Sequence, residues 1–186
     1  MSLNGFKNGR GIDVSKEQVD LAKQHGSDAI VADVFEYLKD KVNSFDVIIA
    51  LDFIEHFHKE ELLNLVPAIY GALIDEGKLI LQTPNAEGLF SGQNVYGDLT
   101  HLTIFTPKSI QQLFCSEGFI NCKFIETGPV PKNVHGRIRI IIWSIIKYMA
   151  SFAFKIETGK KKRMWTENMI CYCEKRARDK QCSLLS

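Results

Sequence analysis

The chain has 186 residues, 45% hydrophobic and 24% charged, which suits a single globular domain with an ordinary core. A formal net charge of +1 supplies no global field for nucleic acid, and no nucleic-acid partner is expected. Five cysteines, an odd number with no Cys-x-x-Cys pair and no signal peptide, argue against a disulfide scaffold and for a reduced, cytoplasmic compartment.

Strands and helices alternate along the chain. Arg10–Val14 reads as a short strand ending in Asp13. A helix follows over Ser15–His25, with Ser15 as N-cap, Gln18 completing a capping box and Gly26 as the stop. Ala29–Ala32 is a second strand, followed by Asp33 and a short helix from Val34 to Val42. Phe45–Leu51 is an apolar, β-branched run with the composition of a buried parallel strand. Lys59–Ile74 predicts a longer helix closing at Gly77, and Lys78–Thr83 a fourth strand that breaks at Thr83-Pro84-Asn85.

A connection from Pro84 to Thr106 then carries the sequence Tyr-Gly-Asp-Leu-Thr-His, and connections of this length inside a domain are usually functional. Pro107 opens a helix that ends at Gly118, Phe119–Thr127 is a fifth strand and Met169–Glu174 a sixth. Cys171 and Cys173 share one face of that last strand and read as core residues. Strands linked by helical crossovers predict an α/β fold, a Rossmann-like doubly wound and mostly parallel sheet, in one domain over 1–186.

Between the last two strands, residues 128–168 form an insertion of different character. Lys132, Arg137, Arg139, Lys147, Lys155, Lys160, Lys161, Lys162 and Arg163 stand against two acids, Glu157 and Glu167. Ile138–Ile156 predicts a strongly apolar helix, which Lys147 interrupts, so an uncharged span of about 20 residues is not available. At roughly 100° per residue, Arg139, Ser144, Lys147, Ser151 and Lys155 gather on one polar arc. Two roles stand open: a cover for the sheet edge or a homodimer seam, and a peripheral membrane contact through 137–156.

The end of the third strand is the richest stretch for function. After Leu51 come three candidate ligands, Asp52, Glu55 and His56, at the sheet edge where open α/β folds bind ligands. A helix beginning at Asp52 would place all three on one face. Asp13 and Asp33 close the first and second strands, where an acid accepts bonds from ribose or adenine in nucleotide-binding sheets and also serves as a turn or cap residue.

These pieces, in this order, resemble the class I S-adenosylmethionine-dependent methyltransferases from about Gly11 to Glu174. They are Gly-Ile-Asp-Val-Ser (11–15), Ala-Asp-Val-Phe (32–35), Phe-Asp-Val-Ile-Ile-Ala-Leu-Asp-Phe-Ile-Glu-His (45–56), Gly-Lys-Leu-Ile-Leu-Gln-Thr-Pro-Asn (77–85) and Gly-Asp-Leu-Thr-His-Leu-Thr-Ile-Phe-Thr-Pro (97–107). The resemblance implies S-adenosylmethionine as cofactor, with Asp13 and its neighbour Val14 at the ribose, Asp33 and Val34 at the adenine and Leu51 near the methionine moiety. It also implies that the last two strands form the antiparallel hairpin of this fold, which favours methyl transfer over nicotinamide-dependent hydride transfer.

Asp52-x-x-Glu55-His56 is similar to the Glu-x-x-Glu-His of ubiquinone-pathway and small-RNA O-methyltransferases, and the segment around His101 to one that supplies a further ligand in the RNA enzymes. Carried over, Asp52, Glu55, His56 and His101 would hold Mg or Mn beside the acceptor hydroxyl. Asp52 stands where those families have Glu, and its spacing to Glu55 equally suits a helix cap. In a third reading His56 or His101 is a general base without metal. The Thr-Pro-Asn and Gly-Asp-Leu-Thr-His pieces, with the basic helix closing in Glu-Thr-Gly (157–159), resemble methyltransferases of surface-polysaccharide synthesis. The expected acceptor is therefore a small molecule or a glycan, lipid-linked in some of those pathways.

The family's first strand and glycine-rich loop are expected about 20 residues ahead of the ribose acid, whereas only twelve residues precede Asp13. Gly5, Gly9 and Gly11 do not substitute, because no helix fits between them and the strand at Arg10. The chain is expected to be an N-terminal truncation or, alternatively, a non-catalytic methyltransferase-like partner that has lost the cofactor loop. Loss of a central strand would leave apolar edges that favour association.

Overall fold

Helix α3 (Lys59–Ala72) shows why the sequence pattern becomes a core. Leu62, Leu65, Val66, Ile69 and Ala72 recur at helical spacing and are all buried, against Leu79 and Leu81 of β4 (Leu73–Pro84). In the computed structural model, which describes residues 8–162 and 164–177, this layer continues through α5 (Pro107–Ser116), whose Ile110 and Phe114 are fully buried. Gly5, Arg163 and Cys182 lie outside the described residues.

The remaining elements are β1 (Gly11–Asp13), α1 (Lys16–Gln24), β2 (Ala29–Val31), α2 (Val34–Leu38), β3 (Phe45–Leu51), α4 (Gly92–Tyr96), β5 (Phe119–Glu126), α6 (Val134–Thr158) and β6 (Asn168–Lys175). Parallel β1 and β2 form one ladder. The second sheet runs β3-β4-β6-β5, with β3 and β4 parallel and β6 antiparallel to both β4 and β5. This is the Rossmann-like mixed sheet with a terminal antiparallel hairpin. Cys171 and Cys173 alternate with half-buried neighbours on β6 and lie fully buried.

The two ladders are not hydrogen-bonded to each other, and one face of β3 stays open. Val47, Ile49 and Leu51 on that face are exposed, while Ala50 on the other is buried in the core.

Several element boundaries differ from the sequence expectation, and α2 stops at Leu38 rather than Val42. Helix α3 stops at Ala72, because Leu73 is drawn into the core and pairs with Phe45. The chain then reaches Lys78 through a bulge in which Glu76 takes a left-handed conformation at φ 61°. Helix α6 runs 25 residues rather than 19: Asn133 caps it through its side chain to the amide of Gly136, and Gly159 at φ 68° closes it.

The orientation of α6 turns the centre of the polar arc inward and leaves Arg139, Ser144 and Lys155 exposed at its edges. Lys147 and Ser151 face the protein: Lys147 Nζ lies 2.5 Å from Glu126 Oε2, and Ser151 Oγ accepts from Trp165 Nε1 at 2.9 Å. Ile140, Trp143 and Phe154 share that inward side and are half-buried, while Ile138, Ile141, Ile142, Ile145, Met149 and Phe152 point outward. Among the described residues no helix is long and apolar enough to cross a membrane.

Candidate functional site

At the carboxyl end of β3 the backbone does not enter a helix. Asp52 turns left-handed at φ 47°, a conformation that costs a non-glycine residue about 1 kcal/mol or more. The chain then forms a single 3-10 turn over Ile54–His56. The capping reading of Asp52 is therefore corrected, since its carboxylate accepts from Gln82 Nε2 at 3.1 and 3.3 Å instead of closing the turn. The parallel register explains this partner, because Leu51 stands opposite Gln82.

The turn buries Glu55. Its Oε2 accepts from Thr83 Oγ1 at 2.9 Å, while Oε1 is buried with no hydrogen-bond partner. Burial pushes this carboxyl above its usual range, opposed by the hydrogen bonds it accepts, including that of Thr83.

The Pro84–Thr106 connection folds back over this turn. The amides of Leu102 and Thr103 both donate to the carbonyl of Glu55, at 2.8 and 3.0 Å, and Thr103 Oγ1 donates to Phe57 O at 2.7 Å. Asn85 is buried and ties the other end down through Nδ2 to Thr166 O at 2.9 Å. These straps set the His101 ring 5.1 Å from that of His56. His56 Nδ1 lies 3.2 Å from Thr100 O and His101 Nδ1 lies 3.4 Å from Val95 O, contacts that orient each ring through one nitrogen. Asp98 accepts from the amide and hydroxyl of Thr100, at 2.8 and 2.7 Å, and these bonds hold its carboxyl below the usual range.

Glu55, His56 and His101 each offer one ligand atom within 4.8 Å of the others. Three of the four expected metal ligands thus come together. Asp52 lies outside the group, though it lines the same cleft. That cleft has a volume of about 620 Å³, and all its lining residues except Pro84 and Gly97 are polar or charged. Asp52, Glu55, Asp98 and Glu167 make it acidic, and no lysine or arginine among the described residues lines it.

Sequence reasoning missed Thr83 and Gln82, which hold Glu55 and Asp52, and Asn168, which lines the cleft. Thr83 had a usable signal, the Thr-Pro-Asn break at the end of the strand beside β3. Gln82 and Asn168 had none, because register and hairpin pairing are tertiary.

None of the expected cofactor residues lines the cleft, though Leu51 immediately precedes Asp52, which does. Asp13, Val14, Asp33 and Leu51 sit at the carboxyl ends of β1, β2 and β3, where the doubly wound fold receives ligands. Both acids also serve the backbone: Asp13 Oδ1 accepts from Ser15 N at 2.7 Å, and Asp33 Oδ1 caps α2 through Phe35 N and Glu36 N. Val14 and Leu51 are 72% and 62% exposed, which leaves them available to a ligand. Val34 packs into the core, so it has little surface to offer an adenine ring.

Residues 2–81 match the protein family described as a methyltransferase domain. No curated protein matches the sequence. Among solved structures the chain is similar to a SAM-dependent methyltransferase from Archaeoglobus fulgidus, at 19% identity and TM-score 0.64, over 89% of this chain and 75% of that one. It is similar to a possible histamine N-methyltransferase from Thermotoga maritima, at 15% identity and TM-score 0.62, over 90% and 72%. It also resembles human N-acetylserotonin methyltransferase, solved in complex with SAM, at 17% identity and TM-score 0.56, over 90% of this chain and 40% of that one. The fold is that of these S-adenosylmethionine-dependent enzymes.

Proposed function

We propose that the chain transfers the methyl group of S-adenosylmethionine to a hydroxyl of a small-molecule or glycan acceptor bound in the acidic cleft. The observation that carries this reading is the buried, unpartnered Oε1 of Glu55 beside His56 and His101, in a cleft lined by hydrogen-bonding groups. A polyhydroxylated acceptor satisfies such a wall, whereas a phosphate or carboxylate would meet four acids. A structural domain has no reason to keep a buried carboxylate oxygen unpaired, which disfavours a non-catalytic partner role.

Asp13 and Asp33 would hold the adenosine through the carboxylate oxygen that their backbone bonds leave over, with Val14 and Leu51 against its apolar surface. Transfer forms the oxygen–methyl bond as the sulfur–methyl bond breaks, and the hydroxyl proton passes to His56 or His101. Orientation of the two reactants supplies much of the acceleration.

Glu55, His56 and His101 also fit a divalent cation, because the orphaned carboxylate oxygen and two ring nitrogens converge. Two imidazoles with one carboxylate suit Mn better than Mg. When bound, such an ion lowers the pKa of a hydroxyl it polarises. Mn is expected to raise the melting temperature of the wild type and to leave that of His101→Ala unchanged. An equal shift in both proteins would remove the metal from the site.

Calorimetry with S-adenosylmethionine tests the main reading. Wild type is expected to bind, and Asp13→Asn, which keeps the backbone bond to Ser15, to bind roughly tenfold more weakly. Absence of binding by wild type at saturating cofactor would sink the assignment. The four acids also favour a second acceptor class, a cationic amine. Transfer of labelled methyl to paired hydroxyl and amine acceptors separates the two.

A further inference from the structure

Helix α6 docks through a mixed face, with Ile140, Trp143 and Phe154 beside its central polar residues, and leaves a wholly apolar stripe outside. Its polar residues Lys147 and Ser151 are spent on Glu126 and Trp165, inside the domain. Outward, Ile138, Ile141, Ile142, Ile145, Met149 and Phe152 are between 49% and 65% exposed. At 100° per residue they fall within an arc of about 100°, along a helix about 37 Å long. A soluble surface seldom carries a continuous apolar stripe of this extent without a partner.

Charge identifies the partner. Arg137 and Lys155 flank one side of the stripe and Arg139 the other, all exposed. Lys132, Lys160 and Lys161 stand exposed beside the helix ends, and Glu157 is the one acid within α6. Two copies stacked on this face would bring two basic collars together with little counter-charge. An anionic lipid surface meets both needs, apolar depth for the stripe and negative headgroups for its rims.

We propose that α6 lies in the plane of an anionic membrane surface, with Ile145 and Met149 at the deepest point and Arg137, Arg139 and Lys155 at the headgroups. The helix does not span: Lys147 at its middle is held by Glu126, and no described helix is apolar enough to cross. This mode of binding does not depend on methyl transfer.

Flotation of the full chain with phosphatidylcholine vesicles, with and without phosphatidylglycerol, tests the proposal. Wild type is expected to float with the anionic vesicles only, and to be released by high salt. Each of Arg137→Gln and Lys155→Gln should lower partitioning about fivefold. Ile145→Glu with Met149→Glu should abolish it while the circular dichroism spectrum and melting temperature hold, since both side chains point away from the core. Wild type that floats with neither vesicle overturns the proposal. So does sedimentation of wild type as a dimer that the Ile145→Glu, Met149→Glu variant dissolves, which would make the stripe a self-association seam.

Discussion

Glu55→Gln is expected to reduce methyl transfer at least about a hundredfold while making the metal-free protein more stable at neutral pH. The two effects share one cause. Glu55 is 1% exposed, and only one of its carboxylate oxygens has a partner, Thr83. Burial raises its pKa, so the folded chain holds this proton to higher pH than the unfolded chain does. The stability so gained is complete at low pH and is lost as pH rises through the folded titration range.

Above that range the native protein carries a buried charge that is incompletely satisfied, and glutamine removes it without changing the shape. A gain of about 1 kcal/mol is expected at neutral pH, vanishing in acid where Glu55 is itself neutral. Urea denaturation at several pH values, with chelator present, measures it. Equal stability of the two proteins at every pH would show that the carboxylate is fully compensated. Full activity in Glu55→Gln would remove it from the chemistry. A carboxylate kept against stability is what a functional group looks like in energetic terms.

The second large effect is expected at Glu126, where β5 meets α6. One carboxylate oxygen pairs with Lys147 at 2.5 Å and the other accepts from the amide of Trp165 at 2.6 Å. The side chains of Lys147 and Glu126 are 29% and 18% exposed, too dry for an orphaned ammonium to rehydrate fully. Glu126→Ala should therefore cost about 2 kcal/mol, less than a fully buried pair, and lower the melting temperature by about 4–8 °C.

Lys147→Met in the Glu126→Ala background should recover much of that loss, because the uncompensated charge has gone. A Glu126→Ala protein as stable as wild type would mean that α6 is held by its apolar and aromatic contacts alone. The same result would weaken the membrane assignment, which depends on Lys147 being turned inward.

The residues that the sequence marked for the candidate site were legible for a chemical reason. Asp13, Asp33 and Leu51 each end an apolar run, and such runs become parallel strands whose carboxyl ends face one edge of the sheet. His101 could be tied to the turn at 52–56 only by resemblance, since 44 residues separate Thr100 from His56 and no periodicity spans a loop. Asp52 shows the limit of spacing arguments: i, i+3, i+4 guarantees a common face only if the backbone is helical, and a left-handed Asp52 breaks that condition.

The sequence by itself determined the order of strands and helices, the Rossmann-like class and the ends at which chemistry would gather. These follow from hydrophobic period and from cap and turn residues, which act within a few positions of one another. Only the tertiary structure decided which partners those ends received. Parallel pairing of β3 with β4 gave Asp52 to Gln82 and Glu55 to Thr83, and the folded-back loop brought His101 to His56. The facing of α6 was likewise beyond the sequence, because a helix with one polar and one apolar face has two ways to dock. Glu126 and Trp165, remote in sequence from Lys147 and Ser151, chose the one that turns these two residues inward, beside Trp143 and Phe154, and leaves the stripe from Ile138 to Phe152 outward.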